Sequence, residues 1–487
     1  MSGSKLQYPP ELSGGDEEET LIACQQWALS HGLCMLDDGK VLSKTSHAPF
    51  TLFPTPFPKT AFEEALNVQE AFNELYARVS SNTGWLENVI SELAEFDPDF
   101  TGRLFKIHRQ VKKAAGPQQP LTAGLFRSDY ITTDKNKIKQ VEFNTVSVSF
   151  GPLSSKVSEL HNYLISNGIY GIEYPIESVP VSPALKELAK SLAQVHSAYV
   201  ETSLSDPGSP ASILMIVQPN ERNIFDQKLL EYELSSTYGI FTHRVTLTDV
   251  QEKTCLIEEN RLIHQASGDE ISVVYYRSGY SPGDYMSDKE WENRLFLECS
   301  YAIKCPSVTT QLAGTKKVQQ LLTERAVVNK LAPNISKSSV DSLLDTFVAI
   351  HPLDEETPEG RHARTLAFDH PEYYVLKPQR EGGGNNVYKE NIPGFLTSTP
   401  KQNWAAYILM ELIHPPQIKN RILRNGTPHL GEIVSELGVF GGILWNSHTG
   451  ECKFNKQDGW LLRTKLQSSD EGGVAAGFGC IDAVYLL

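Results

Sequence analysis

No stretch of the chain approaches the ~20 consecutive apolar residues needed to span a bilayer, so its 487 residues are expected to fold in water and to have no membrane partner. Nor is there an excess of basic charge: 59 acidic against 44 basic residues leave a net charge of −15. Displacing counterions from a nucleic-acid backbone takes a basic face. No Lys/Arg block offers one, which argues against a nucleic-acid partner. A local basic pocket for a small anion survives, because net charge says nothing about one cleft. Cysteine is sparse: Cys24, Cys34, Cys255, Cys299, Cys305, Cys452 and Cys480. The odd count, the wide spacing and the lack of CxxC argue against a disulfide framework or a zinc site and fit a reducing compartment. The first twenty residues are polar and acidic, unlike a signal peptide, so a cytoplasmic location is expected. The P-loop pattern GxxxxGK[ST] does not occur, and the protein kinase set of GxGxxG, HRD and DFG is missing.

What is present is ordinary globular material, with hydrophobic residues at 40% and charged residues at 21%. At ~150 residues per domain the length predicts about three domains, or two with large insertions. Residues 1–20 read as a flexible tail. Ala61 to Ser81 reads as an amphipathic helix, with Phe62, Leu66, Phe72, Leu75, Tyr76 and Val79 at helical spacing. Gln140 to Phe150, rich in β-branched and aromatic residues, reads as a strand. A Ser/Pro/Gly cluster from Ser203 to Ser212 marks a boundary. After it the pattern alternates: Ile213 to Val217 strand, Ile224 to Tyr238 helix, then strands at Phe241 to Leu247 and Ile271 to Tyr276. That is βαβ patterning, which predicts a parallel sheet. Ser287 to Lys304 reads as a helix opened by a capping box of Ser287 and Glu290. Beyond a polar break at 351–364 come strands at Tyr373 to Lys377, Tyr407 to Glu411, Ser435 to Trp445 and Trp460 to Lys465. The class is α/β with an α+β lid.

Three segments carry chemistry. Lys377 to Tyr388 places three consecutive glycines directly after an apolar strand. Ordering glycine is costly, so such a run is either a linker or a flap that approaches a ligand closely; its backbone N–H groups can cradle phosphates. The loop alone leaves nucleotide binding and a plain linker both open. Glu142 and Asn144 share one face of their strand, with Val141 and Phe143 on the other. A carboxylate and an amide oxygen are the hard ligands Mg²⁺ prefers, and Glu381 beside the glycines could add a third. The pair alone reads equally as a solvated strand face. Finally, Arg463 and Lys465 share a strand face before the Gly/Ala loop of 472–477, a pattern suited to an anionic ligand, a carboxylate in particular, under a mobile loop; it reads equally as a surface strand and a turn. Arg277 and Tyr280 follow the strand ISVVYY, where parallel sheets bind ligands.

Taken together, FRSDY (126–130), VEFNTVSVSFG (141–151), ERNIFDQ (221–227), VVYYRSGY (273–280), QLAGTKKVQQ (311–320), VLKPQREGGGNN (375–386), ILMEL (408–412), SELG (435–438), LLRTK (461–465) and GGVAAG (472–477) resemble the motifs of the eukaryotic glutathione synthetases, most of all fungal members. The likeness runs in order across nearly the whole chain. It implies an ATP-grasp fold and a homodimer. A parallel-sheet substrate-binding domain would occupy 206–312, between a core of 21–205 and a C-terminal part of 313–487 that includes a lid at about 345–425. It implies ligation of γ-glutamylcysteine and glycine at the expense of ATP, with Mg²⁺ as cofactor; β-alanine is the alternative acceptor. Glu142, Asn144 and Glu381 would then hold the metal. ATP would meet Glu142, Lys316, Lys377, Gly382, Gly383, Gly384, Asn385, Asn386, Tyr388, Met410, Glu411, Leu412, Ile413, Glu436, Lys465 and Glu471. γ-Glutamylcysteine would meet Arg127, Ser147, Val148, Ser149, Glu221, Arg222, Asn223, Gln227, Arg277, Tyr280, Arg463, Val474 and Ala475. Lys316, Lys377 and Arg463 would carry the catalytic charge. Two positions depart from some members: Leu412 where lysine occurs, and Glu471 where aspartate occurs.

Overall fold

The computed structural model describes residues 8–11, 14–171, 174–201, 210–379, 386–469, 473–474 and 477–487. Its framework is a mixed sheet of thirteen strands, among those residues, with a separate antiparallel sheet of four beside it. At the centre of the large sheet lies Leu121–Thr132, a twelve-residue strand. It pairs antiparallel with Thr427–Asn446 on one side and with the short strand Ile138–Asn144 at its distal end. Thr427–Asn446 is in turn antiparallel to Cys452–Leu466.

The alternation read from the sequence holds for Phe143 but not for Val141, which is half-buried and lines the cleft beside Glu142, because the register shifts there and leaves Val141 without a partner on the central strand. Phe143 is buried, stacked on Tyr76 with ring centroids 3.8 Å apart. Tyr76 belongs to the helix Lys59–Ser81, which lays its apolar stripe of Phe62, Phe72, Leu75 and Val79 on this sheet. Burying one such aromatic contributes roughly 1.5–3 kcal/mol, so this packing fixes which face of the Glu142 strand turns outward.

The strand expected to run to Phe150 ends instead at Asn144. Ser147 and Phe150 take left-handed φ values of 55° and 70°, which no ladder accommodates. The chain turns there and enters the helix Gly151–Ser166. The expected βαβ unit appears as four parallel strands, Thr242–Thr246, Ala211–Val217, Glu270–Tyr276 and Ile303–Cys305. The last of these joins the central strand through Lys304 opposite Thr122. That pairing also corrects the helix expected to reach Lys304. It keeps its Ser287–Glu290 capping box but stops at Cys299, because Ile303 and Cys305 are buried in the parallel ladder. The stretch expected as a tail is helical from Gly14 to Ser30. Among the described residues no helix is long and apolar enough to cross a membrane.

The four-stranded sheet orders Ile350–Pro352, Tyr407–Glu411, Tyr374–Pro378 and Val387–Tyr388. Alternation divides its side chains between two faces. Leu376 and Leu409 pack under helices with Leu396 and Trp404. Val375, Ile408 and Met410 form a second apolar cluster with Tyr388 and Leu412 against it. That second face looks across to the large sheet and creates the main cleft.

Candidate active site

The cleft has a volume of about 430 Å³. Its apolar wall is Val375, Met410, Leu412 and Tyr388, and its polar floor is Glu142, Lys377, Glu436, Arg463 and Lys465. Asn386, Glu411 and Ile413 also line it. Segments from five distant parts of the chain thus converge as the motifs anticipate. Lys316 opens a short helix, buried, and its Nζ donates to Glu142 Oε2 at 2.7 Å. Lys377 Nζ donates to the carbonyl of Val141 at 3.1 Å.

This crowding sets the charge states. Burial pushes the Glu142 carboxyl up, but Lys316, Lys377 and Arg463 together outweigh it and hold the group well below the usual carboxylate range. Burial, reinforced by the neighbouring Lys316 ammonium, lowers Lys377 to about 8 despite Glu142, Glu436 and Asp129 nearby. Burial raises Glu436 against the pull of Arg463, with Asp129 and Glu142 adding to the rise. The floor therefore pairs a firmly ionised carboxylate with a lysine whose charge is opposed by burial and by a second ammonium. An anion would stabilise the charged form of that lysine.

A second cluster lies at the carboxyl ends of the parallel strands. Arg277 Nη2 donates to Ser149 Oγ at 3.0 Å and to Asp226 at 3.3 Å. Arg127 Nη1 reaches the Ser149 carbonyl at 3.4 Å, and Ser147 Oγ donates to the Tyr276 carbonyl at 3.1 Å. Glu221 accepts from the Asn223 backbone N–H at 2.7 Å and from Gln227 Nε2 at 3.1 Å. Tyr280 OH accepts from Gln218 at 3.1 Å. Two atoms here, Asn223 Oδ1 and Arg277 Nε, are buried with no protein partner.

Asp129 joins the two clusters, and the sequence reading did not single it out. Fully buried, it holds Arg127 through two hydrogen bonds of 2.6 and 2.7 Å. It also accepts from Arg463 Nη2 and from Asn144 Nδ2, both at 2.9 Å. Arg463 in turn pairs with Glu436. With the Asn144 amide nitrogen committed to Asp129, its Oδ1 is the atom left to act as an oxygen ligand. Asp226 was missed likewise; it accepts from the backbone N–H of Phe150 at 3.0 Å and of Leu153 at 3.3 Å, which anchors the left-handed turn. Opposite charges two residues apart in FRSDY, Arg127 and Asp129, which a strand puts on one face, were the available signal for Asp129.

Some expected residues sit elsewhere. The Val148 side chain packs in a core cluster, as does Val474. Arg222 turns its Nε to the carbonyl of Leu36 at 3.1 Å. Glu381, Gly382, Gly383, Gly384, Asn385, Glu471 and Ala475 lie outside the described residues. Among the described residues, no cluster of three His, Cys, Asp or Glu is placed to hold a metal ion.

Comparison with known proteins gives the same answer along the whole chain. Residues 16–486 match the family model for the eukaryotic glutathione synthase ATP-binding domain. The human glutathione synthetase is 40% identical over 99% of this chain and 98% of its own. The glutathione synthetase large chain of Schizosaccharomyces pombe is 36% identical over 98% and 99%. The chloroplastic glutathione synthetase of Arabidopsis thaliana is 38% identical over 95% and 84%. Among solved structures, the apo form of a glutathione synthetase-like effector from Globodera pallida superposes with a TM-score of 0.74 at 23% identity, covering 98% of each chain. That last likeness speaks for the fold alone.

Proposed function

The chain belongs to the eukaryotic glutathione synthases, and on that premise we propose that its cleft joins γ-glutamylcysteine to glycine with hydrolysis of ATP. Oxide is too poor a leaving group for a free carboxylate to acylate an amine. The cysteinyl carboxylate oxygen therefore attacks the γ-phosphorus and ADP departs. The glycine nitrogen then attacks the acyl carbon of the resulting acyl phosphate, and the carbon–oxygen bond to phosphate breaks. Such transfer asks for positioning and charge neutralisation more than covalent help.

The observation that carries this reading is the juxtaposition of an apolar slot with buried lysines. Val375, Met410, Leu412 and Tyr388 suit an adenine ring, while Lys377 and Lys316 suit its phosphates. Glu436, Lys465 and the segment Met410–Ile413 complete the nucleotide site. Arg127, Ser149, Arg277, Asn223 and Gln227 would hold γ-glutamylcysteine, whose charged ends would satisfy the two orphaned atoms Asn223 Oδ1 and Arg277 Nε. Arg463, between the two clusters, would face the developing charge. In ATP-grasp terms, 206–312 is the substrate-binding insertion and about 345–425 the lid.

The donor set fits magnesium: Glu142 is held ionised, and Asn144 keeps its Oδ1 for a ligand because its nitrogen is bound to Asp129. Glu142, Asn144 and Glu381 would hold the ion, which supplies charge neutralisation for the phosphates. The resemblance also favours a cytoplasmic homodimer, which light scattering on the purified chain tests for stoichiometry.

The deciding experiment is phosphate release with γ-glutamylcysteine and either glycine, β-alanine or no amine, with and without Mg²⁺. Release that depends on glycine and Mg²⁺, with glutathione as product, is expected. A stable phosphorylated product by mass spectrometry would overturn the ligase reading, and a preference for β-alanine would reassign the acceptor.

A further inference from the structure

A second polar cavity, of about 160 Å³, lies at the opposite end of the central strand from the cleft. Thr122 stands at its floor and is five residues from Arg127, or ~17 Å of strand. Lys304, its neighbour across the parallel ladder, lines the same cavity. Both are more than nine-tenths buried.

The hydrogen-bonding state of the lining is lopsided. Thr122 Oγ1 is buried with no protein partner. Lys304 Nζ gives one hydrogen bond, to the Ser300 carbonyl at 2.6 Å, and an ammonium has three N–H donors. Ser81 Oγ accepts from Trp445 Nε1 at 3.0 Å, which leaves its own O–H to give. Thr309 Oγ1 shares a 3.2 Å bond with His108 Nδ1. The one carboxylate on the wall, Glu298, accepts from Arg294 at 2.9 Å, from the Val308 N–H at 3.1 Å and from Tyr276 OH at 3.4 Å, and accepts none from Lys304. The buried ammonium thus has donors to spare beside a buried hydroxyl without a partner. A buried donor left unmade is costly, and a buried ammonium more so.

From this we infer that the Thr122–Lys304 cavity is a binding site for a small oxyanion, a phosphate or a phosphomonoester, separate from the nucleotide cleft. The oxyanion's several acceptor oxygens match the Lys304 ammonium and the hydroxyls of Thr122, Ser81 and Thr309. Burial lowers Lys304 to about 8 against the pull of Glu298, so at neutral pH the lysine is still mostly charged. An anion beside it reverses part of the cost of burying it. The inference does not depend on the ligase reading, since none of these groups touches the cleft.

The test is calorimetric titration of the full chain with inorganic phosphate, and in a second arm with phosphoserine, with a non-hydrolysable ATP analogue saturating the cleft, its γ-phosphate position included, throughout. Binding is expected for wild type. Charge-assisted hydrogen bonds contribute about 1.5–3 kcal/mol, so Lys304→Met is expected to weaken it by at least about tenfold, and Thr122→Val by a smaller factor. Lys377→Met, which alters only the cleft, should leave this binding unchanged. Phosphate binding without phosphoserine binding assigns the site to the free ion; both binding assigns it to phosphomonoesters as well. No binding to wild type at tens of millimolar, or equal affinity in the Thr122→Val and Lys304→Met variants and wild type, would overturn the inference. Should Lys304→Met fail to fold, Thr122→Val with Ser81→Ala carries the test.

Discussion

Asp129 and Arg463 meet at 2.9 Å although a whole strand lies between the two that carry them. That intervening strand presents Gly438 opposite Asp129. A Cβ there would stand 2.8 Å from Arg127 Cδ and 2.9 Å from Asp129 Oδ1. The glycine is the gap through which the ion network crosses, and it couples the nucleotide cluster to the substrate cluster.

Gly438→Ala should therefore damage both clusters at once. The added methyl has no relief except displacement of the paired side chains, and overpacking of this kind costs about 1–3 kcal/mol. A lowered melting temperature together with a raised KM for both ATP and γ-glutamylcysteine is expected. Wild-type values for both substrates would show that the network tolerates the intrusion.

Asp129→Asn keeps the shape and removes the charge that Arg127 and Arg463 share. Breaking a buried pair by neutralising one member costs on the order of 3–5 kcal/mol. Asparagine can still accept from one arginine, so the lower end is expected by chemical denaturation. Turnover should fall by ~100-fold or more, since both arginines lose their fixed positions. A variant that loses stability but keeps wild-type kcat would confine Asp129 to a structural role.

Lys377→Met should separate catalysis from folding. The lysine gives its hydrogen bond to one backbone carbonyl, and its buried charge opposes folding. Removing it is expected to leave thermal stability equal or higher while turnover drops ~100- to 1,000-fold. Near-normal turnover would remove the residue from the phosphate site.

Asp458 offers a pH test away from the cleft. It is fully buried, accepts from Ser191 Oγ at 2.6 Å, and burial raises its carboxyl to about 7. The unfolded value is near 3.9, so the native state holds the proton more tightly. Its contribution to stability is full below the unfolded value and is lost as pH climbs through about 7. Asp458→Asn should abolish that loss. The wild-type protein should fall relative to the variant by a few kcal/mol between roughly pH 4 and 7, read from denaturant midpoints at each pH. Parallel pH profiles would exclude the carboxylate as the source.

The buried face of Phe143, the βαβ unit and the segments that carry chemistry were legible in the residues alone, because those are local properties, whereas the bulge that turns Val141 to the cleft was not. Alternation puts Phe143 inward and Glu142 outward whatever the rest of the chain does. A capping box at Ser287 starts a helix from neighbouring residues alone. Where that helix stops was decided by tertiary structure, since Ile303 and Cys305 gain more in a buried parallel ladder than in another helical turn. The turn at Ser147 and Phe150 was equally unreadable, because Asp226, from a distant helix, holds it. Asp129 illustrates the limit most plainly. Its partner Arg463 is 334 residues away, and no periodicity encodes a contact of that separation. Only the packed sheet, with glycine at 438, decided that these charges share one space.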